Sequence, residues 1–149
     1  PYNVALRYVT RRGRWYRYSW KGAEEKSGGI LPNIGIHFLD LLIWLFGPTT
    51  EPPSLYTSHR DFAEGFTVHE RARVAWSLSL REDDLPEEAT AKGKPSWRML
   101  EIDGENIEFS PGFTELHTEV YRRTLMGEGF TIEDAAPSIE LVHKLRELR

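Results

Sequence analysis

Alternating apolar and polar positions predict that strands occupy much of this chain. The clearest strand covers residues 71–80, where every second side chain is apolar, from Ala72 to Leu80. A further strand over 97–102 turns at Asp103-Gly104 into 107–109, and an Asp-Gly dipeptide between two such segments is typical of a β-hairpin. Residues 1–20 are rich in Tyr, Trp and Val around Arg11-Arg12-Gly13, which predicts two short strands joined by a turn.

Three other segments follow helical periodicity. Residues 30–46 form a long apolar run between Gly28-Gly29 and Gly47-Pro48, which predicts a buried helix. Seventeen helical residues span only about 25 Å, short of the roughly 30 Å needed to cross a membrane. Two amphipathic helices are predicted nearer the C-terminus, and their apolar positions are Phe113, Leu116, Val120 and Leu125, ending at Gly127, and then Ile139, Val142, Leu145 and Leu148.

Strands grouped together with few helices predict one α+β domain over residues 1–149. We expect a mostly antiparallel open sheet with helices packed on one face and the other face free. The charged stretch 81–94 contains Pro and Gly and is too polar for an interior, so it predicts a long exposed loop. At 149 residues, the chain is long enough to bury a core without a disulfide or a structural metal.

Composition narrows the possible chemistry. The chain has no cysteine, which excludes disulfides, thiolate nucleophiles and zinc sites built on sulfur. Its net charge of −4 argues against a general nucleic-acid binder. Residues 1–26 nevertheless hold seven basic side chains against two acidic ones, a local charge of +5, which indicates an anionic ligand.

Three polar residues share one stripe of the predicted helix 30–46. At 100° per residue, Asn33, His37 and Asp40 fall within about 60° of one another. Buried polar groups need partners, so the stripe meets either an internal network or a cavity that holds a ligand. In the first case Asp40 fixes His37 as a core histidine; in the second His37 transfers protons near neutral pH.

The basic segment also carries aromatic side chains, among them Trp20. Arg14 and Lys21 could pair with phosphate or carboxylate while the rings stack on a base or a sugar. A surface strand with solvated arginines is the alternative, and RNA binding is a weaker third one. The remaining histidines, His59, His69, His117 and His143, are scattered and receive surface or structural roles.

Common cofactor motifs are missing from the sequence. Gly127-Glu128-Gly129 follows a helix and has Ile132 where a dinucleotide fingerprint needs a third glycine, so it indicates a helix terminator. No P-loop, nucleophile elbow or metal-spaced cluster of Asp, Glu and His occurs. No metal and no cofactor-binding residue is therefore predicted within this chain.

Residues 28–40, Gly-Gly-Ile-Leu-Pro-Asn-Ile-Gly-Ile-His-Phe-Leu-Asp, resemble the signature helix of the Gfo/Idh/MocA oxidoreductases. That pattern is Gly-Gly, a short spacer, Asp-x-Gly-x-His, two residues and Asp. The stretches 11–15, 19–22, 26–29, 116–118 and 132–135 narrow the resemblance to the branch that oxidises UDP-N-acetyl-2-amino-2-deoxyglucuronate in bacterial lipopolysaccharide O-antigen synthesis. The resemblance covers nearly the whole chain, and it is to the C-terminal domain of these enzymes only.

The resemblance also implies the roles of individual residues, the cofactor and the oligomeric state. His37 and Asn33 would be catalytic, Arg14, Lys21 and Trp20 would bind the UDP-sugar, and Asp40 and Gly29 would support them. Asn33 stands where most members have Asp, and an amide cannot hold the charge that stabilises an imidazolium. NAD would be bound by an N-terminal Rossmann domain, and the open sheet face would form a homo-oligomer. We expect a cytoplasmic protein without nucleic-acid or membrane partners, and an isolated domain without activity.

A second hypothesis remains open. A chain with this fold could be a sugar-nucleotide-binding or assembly module that has lost the chemistry. The chain starts at Pro1 with no secretory signal, which favours the C-terminal part of a longer two-domain protein.

Overall fold

One six-stranded sheet organises the protein. The structure is a computed structural model that describes residues 1–111 and 115–149. The strands are β1 (Tyr2–Thr10), β2 (Ser54–Ser58), β3 (Phe62–Val68), β4 (Ala72–Ser79), β5 (Ser96–Ile102) and β6 (Glu105–Glu108). The sheet order is β2-β3-β4-β1-β5-β6; β1 runs parallel to β4, and the other neighbouring pairs are antiparallel. The expected mostly antiparallel sheet is confirmed.

The helices among the described residues differ widely in length. They are α1 (Arg14–Tyr18), α2 (Glu24–Ser27), α3 (Ile36–Phe46), α4 (Glu87–Ala91), α5 (Leu116–Leu125) and α6 (Ile132–Glu147). A π-helical turn, Leu31–Gly35, leads directly into α3, and short 3₁₀ turns cover Trp20–Gly22 and Glu82–Asp84. The helix predicted over 30–46 is therefore present, with its first turn widened.

The core lies between the sheet and the pair α3 and α6. Val4, Leu6 and Tyr8 alternate along β1 into this core, where Leu42 and Leu145 are fully buried. Leu6 stands opposite Trp76 on one side and Leu100 on the other, so three central strands present one continuous apolar face to the helices. Burying such a face supplies most of the folding free energy, and the α+β class is confirmed.

The N-terminal segment differs from the sequence-based prediction. Residues 1–20 form one nine-residue strand, β1, followed by α1, instead of two short strands. β1 lies in the middle of the sheet and pairs on both edges, which favours a long strand. Beyond the turn, Tyr16 is only 7% exposed, and packing of this ring overrides the β-propensity of its aromatic neighbours.

Two other regions also depart from the expectation. The sequence pattern did not identify β2 and β3. The stretch 81–94 is not simply an exposed loop, because Leu85 and Ala89 are buried in it and the Ser79 hydroxyl donates a hydrogen bond to Asp84. Two apolar side chains among many charges are enough to hold this segment against the end of the sheet.

The two predicted C-terminal helices are present as α5 and α6. Leu116, Val120 and Leu125 lie on α5 but are exposed, while Phe113 lies outside the described residues. On α6, Val142, Leu145 and Leu141 are buried in the core, whereas Ile139 is about half exposed, as is Leu148 directly after the helix. None of the described helices combines the length and apolar character needed to cross a membrane.

Candidate functional site

One face of the 31–46 helix is open and forms a wall of a cleft of about 1010 Å³. Asn33, His37 and Asp40 all line this cleft. The helix is therefore not buried all round, as its apolar sequence indicated: its inner face packs on the sheet, and its outer face carries Trp44, 72% exposed. Trp44 continues the same stripe at helical spacing, a signal that the sequence analysis did not use.

His37 is exposed within the cleft, so it is not a core histidine. No hydrogen bond joins it to Asp40 within the part of the chain that the structure describes. The expectation that Asp40 fixes the imidazole by a direct bond is therefore not met in this structure. What remains is an accessible ring on a helix whose opposite face is rigidly packed, which is the setting a proton-transfer group needs.

Asn33 is held by its amide nitrogen. The Nδ2 group donates to the backbone oxygen of Gly29 at 3.0 Å and to that of Lys21 at 3.4 Å. Gly28 and Gly29 have φ angles of 77° and 88°, so both occupy the left-handed region that favours glycine. This double turn directs the chain into the helix and places the Gly29 carbonyl under Asn33.

Cations enter the cleft from two directions. Lys21 and Arg12 come from the basic segment, and Arg98 comes from β5. The Lys21 ammonium lies 5.7 Å from the Trp20 ring centre. Arg98 lies 5.3 Å over the Tyr8 ring and donates a hydrogen bond to the Ser110 oxygen at 2.8 Å.

Of the predicted substrate residues, Lys21 is the one that the structure places in this cleft. Arg14 and Trp20 lie outside the set of described residues that line it, as does Gly29, which was predicted to support the site. The sequence analysis missed Arg98, although a signal existed: the alternation of β5 puts this arginine on the core-facing side with Leu100, opposite Tyr8. A charged side chain at an inward strand position is an indicator of a site.

The opposite wall comes from the approach to α6. It contains Phe130, Thr131, Asp134 and Ser138, with Leu116 from the start of α5. The Asp134 carboxylate accepts hydrogen bonds from the backbone nitrogen of Thr131 at 2.7 Å and from its hydroxyl, which completes a capping box. Asp134 is therefore committed to the helix N-terminus.

The family comparison agrees with this geometry. The family described as "Oxidoreductase family, C-terminal alpha/beta domain" matches residues 1–84, more than half of the chain, which includes the whole signature helix and the basic segment. The chain belongs to the Gfo/Idh/MocA oxidoreductase family.

Solved structures extend the match to the whole chain. The WlbA (WbpB) dehydrogenase from Thermus thermophilus, in complex with NAD and alpha-ketoglutarate, is 48% identical over 99% of this chain, with a TM-score of 0.92. The same dehydrogenase in complex with NAD and UDP-GlcNAcA is 46% identical over 97%, with a TM-score of 0.89. This chain spans 48% and 46% of those two chains, about half of their length.

A more distant structure shows the fold alone. An oxidoreductase of unassigned activity from Thermotoga maritima is 19% identical over 98% of this chain, with a TM-score of 0.68. The architecture of this Gfo/Idh/MocA domain is thus kept where most of the sequence has changed.

This family member does not hold a dinucleotide with its own glycines. Gly127 has a φ of 77° and donates its backbone N–H to the Thr124 oxygen, which ends α5, so the predicted helix terminator is confirmed. The sequence has no Gly-x-Gly-x-x-Gly turn between a strand and a helix, and the residues of this chain therefore do not fit the pyrophosphate of NAD. Across the described ranges, no group of three His, Asp or Glu could hold a metal ion.

His69 illustrates a structural histidine in the same domain. It is 2% exposed, its Nδ1 donates to the Gly47 oxygen at 2.8 Å, and its Nε2 accepts from the Thr67 hydroxyl at 3.1 Å. Burial lowers the pKa of His69, despite the opposing effect of its bond to Gly47. The neutral ring therefore ties the end of α3 to β3, in contrast to the open His37.

Proposed function

We propose that this chain is the substrate domain of an NAD-dependent oxidoreductase that oxidises the 3-hydroxyl of a UDP-N-acetylhexosaminuronate in lipopolysaccharide O-antigen sugar synthesis. The observation that carries the proposal is the cleft that joins an exposed His37 to the cations Arg12, Lys21 and Arg98. A relative 46% identical to this chain was crystallised with NAD and UDP-GlcNAcA, which supports the substrate class.

The cleft contains three cations that can meet the negative charges of this substrate, together with the carboxylates of Asp40 and Asp134. A UDP-hexosaminuronate carries a pyrophosphate and a carboxylate, and arginine and lysine are suited to both. Arg12 and Arg98 each add a guanidinium charge, and Arg98 keeps its hydrogen bond to the Ser110 oxygen, whereas Lys21 acts as a compact point charge. Trp44 and Phe130 add apolar surface that can cover a sugar ring or a base.

In the proposed reaction, His37 acts on the hydroxyl that is oxidised. Its imidazole accepts the hydroxyl proton while the sugar becomes a ketone. NAD, which this chain does not hold by itself, supplies the acceptor for the hydride. The packed inner face of α3 fixes the helix that carries the ring, and general acid–base catalysis by a positioned histidine contributes about 10²–10⁴-fold.

The proposal is tested with the full-length protein, UDP-GlcNAcA and NAD. Absorbance of the reduced nicotinamide should appear with UDP-GlcNAcA and be far weaker with UDP-GlcNAc, which lacks the carboxylate. Binding of UDP-GlcNAcA without any reduction of NAD would favour the second hypothesis, a sugar-nucleotide-binding module. The reaction is proposed to take place in the cytoplasm, which remains a prediction.

Lys21→Ala tests the anion contacts. Removing a charge-assisted contact costs about 1.5–3 kcal/mol, so KM for UDP-GlcNAcA should rise by about tenfold or more while kcat changes little. Lys144→Ala is the matched control, because Lys144 is an exposed lysine on α6 and lies outside the cleft-lining set. Equal KM values for Lys21→Ala and wild type would remove Lys21 from the proposed substrate contacts. Arg14→Ala tests separately whether Arg14 binds the UDP-sugar, as the sequence predicts.

We also propose that the open sheet face joins copies of this chain. Ser77 and Glu64 are neighbours on that face, with Arg7 and Met99 across the adjacent strands. Face-to-face packing of two such sheets gives a symmetric interface of the kind common in enzymes. Sedimentation velocity of the full-length protein should show an oligomer, and Ala75→Arg in the centre of the face should shift it toward monomer. A monomeric wild-type protein at high concentration would refute this.

A further inference from the structure

A single side chain links the turn that carries Lys21 to the helix that carries His37. The two hydrogens of the Asn33 amide nitrogen are directed at two backbone oxygens, those of Gly29 and Lys21. The backbone nitrogen of Asn33 also donates to the Gly29 oxygen, at 3.3 Å. Because both partners of the side chain are acceptors, only a donor fits at this position.

The turn itself is held by short-range bonds. Gly22 donates to the Ser19 oxygen, Ala23 donates to the Trp20 oxygen, and the flanking helices α1 and α2 contain five and four residues. Helical turns this short are marginal without tertiary support. The bond from Asn33 to the Lys21 oxygen spans twelve positions in sequence and ties the turn to the rigid helix.

We propose that Asn33 is a positioning residue that acts through Lys21. It holds the Trp20–Gly22 turn so that the ammonium, packed against the Trp20 ring, stands in the cleft and meets an anionic group of the sugar nucleotide. The inference rests on the proposed function and deepens it, because it assigns Asn33 to substrate binding rather than to the proton transfer.

The proposal also explains why an amide, and not a carboxylate, suits this position. A carboxylate has no hydrogen at neutral pH, so it would face two carbonyl oxygens without a bond to either. It would also add a negative charge to a cleft that already contains Asp40 and Asp134. Asn33 keeps this end of the cleft positive for a substrate with several negative charges.

A double-mutant cycle in the full-length protein tests the inference. Asn33→Ala and Lys21→Ala should each raise KM for UDP-GlcNAcA about tenfold, with kcat within about threefold of wild type. The double variant should bind no worse than Lys21→Ala, because the two residues act as one unit. A roughly hundredfold, multiplicative loss would overturn the proposal, since Asn33 would then contact the substrate itself. A fall in kcat at constant KM would overturn it too.

Two further measurements make the outcome independent of turnover. Calorimetric Kd values for UDP-GlcNAcA should change in the variants as KM does. If the wild-type protein binds UDP-GlcNAcA but does not turn it over, the proposed function is refuted, and the Kd values of the variants still decide the role of Asn33. Amide hydrogen exchange at Gly22 and Ala23 should accelerate in Asn33→Ala while that of α3 stays protected. Unchanged exchange at these two amides would show that no tether exists.

A charge-matched control separates the effect of a negative charge at position 33 from the effect of the same change in net charge elsewhere. Asn33→Asp should raise KM more than Asn33→Ala does, whereas Asn106→Asp on β6 introduces the same charge outside the cleft-lining residues and should leave KM unchanged. If both aspartate variants raise KM equally, the effect is one of net charge and the proposal fails.

Discussion

His37→Asn is expected to lower kcat for UDP-GlcNAcA oxidation by about 10²–10⁴-fold, the usual contribution of general acid–base catalysis. The amide retains a polar side chain of similar length at this position but cannot accept and release the hydroxyl proton at neutral pH. Substrate affinity should stay close to that of wild type, because the cations of the cleft are unchanged. Single-turnover rates and calorimetric Kd values of the full-length protein measure the two quantities separately.

The control for this prediction is His143→Asn. His143 is an exposed histidine on α6, paired only loosely with Glu147 at 3.4 Å, so its removal should change neither rate nor stability appreciably. Because His37 is exposed, its replacement should leave the thermal midpoint close to that of wild type. A normal single-turnover rate in His37→Asn, with or without a loss of stability, would end its catalytic assignment.

Gly65→Ala is expected to have the largest effect on stability. Gly65 lies on β3 between β2 and β4, on the face that packs against the helices. A Cβ atom built there would overlap the Ser54 backbone oxygen on one side and the Trp76 ring on the other. Neither can move freely, since one belongs to a paired strand and the other is a buried ring, 3% exposed. The expected loss is about 3 kcal/mol in the free energy of unfolding.

Thermal unfolding followed by circular dichroism measures this loss. For a domain of this size, about 3 kcal/mol corresponds to a fall in Tm of roughly 6–12 °C. Gly93→Ala is the control, because a Cβ there meets no atom within 4 Å and only the φ of 65° is strained, at a cost of about 1 kcal/mol. If the two variants lose the same stability, lack of room at Gly65 is not the cause.

Several elements were predictable because their signals are local. The alternation of Val74, Trp76 and Leu78 identified β4, and Asp103-Gly104 identified the hairpin. Asp103 and Gly104 both have positive φ, 49° and 89°, as the tight turn of that hairpin requires. The signature helix was equally predictable from the sequence, since glycines mark its start and its end.

The sequence by itself determined the fold class, the family and a stripe of candidate residues, because each follows from periodicity or from a short motif. Only the tertiary structure decided that β1 lies parallel to β4 and that α1 replaces the predicted second strand. It alone brought Lys21, Arg98 and Phe130 into one cleft with His37. These residues are far apart in sequence and meet through packing of the sheet and helices, and no local pattern encodes the partners that such long-range packing selects.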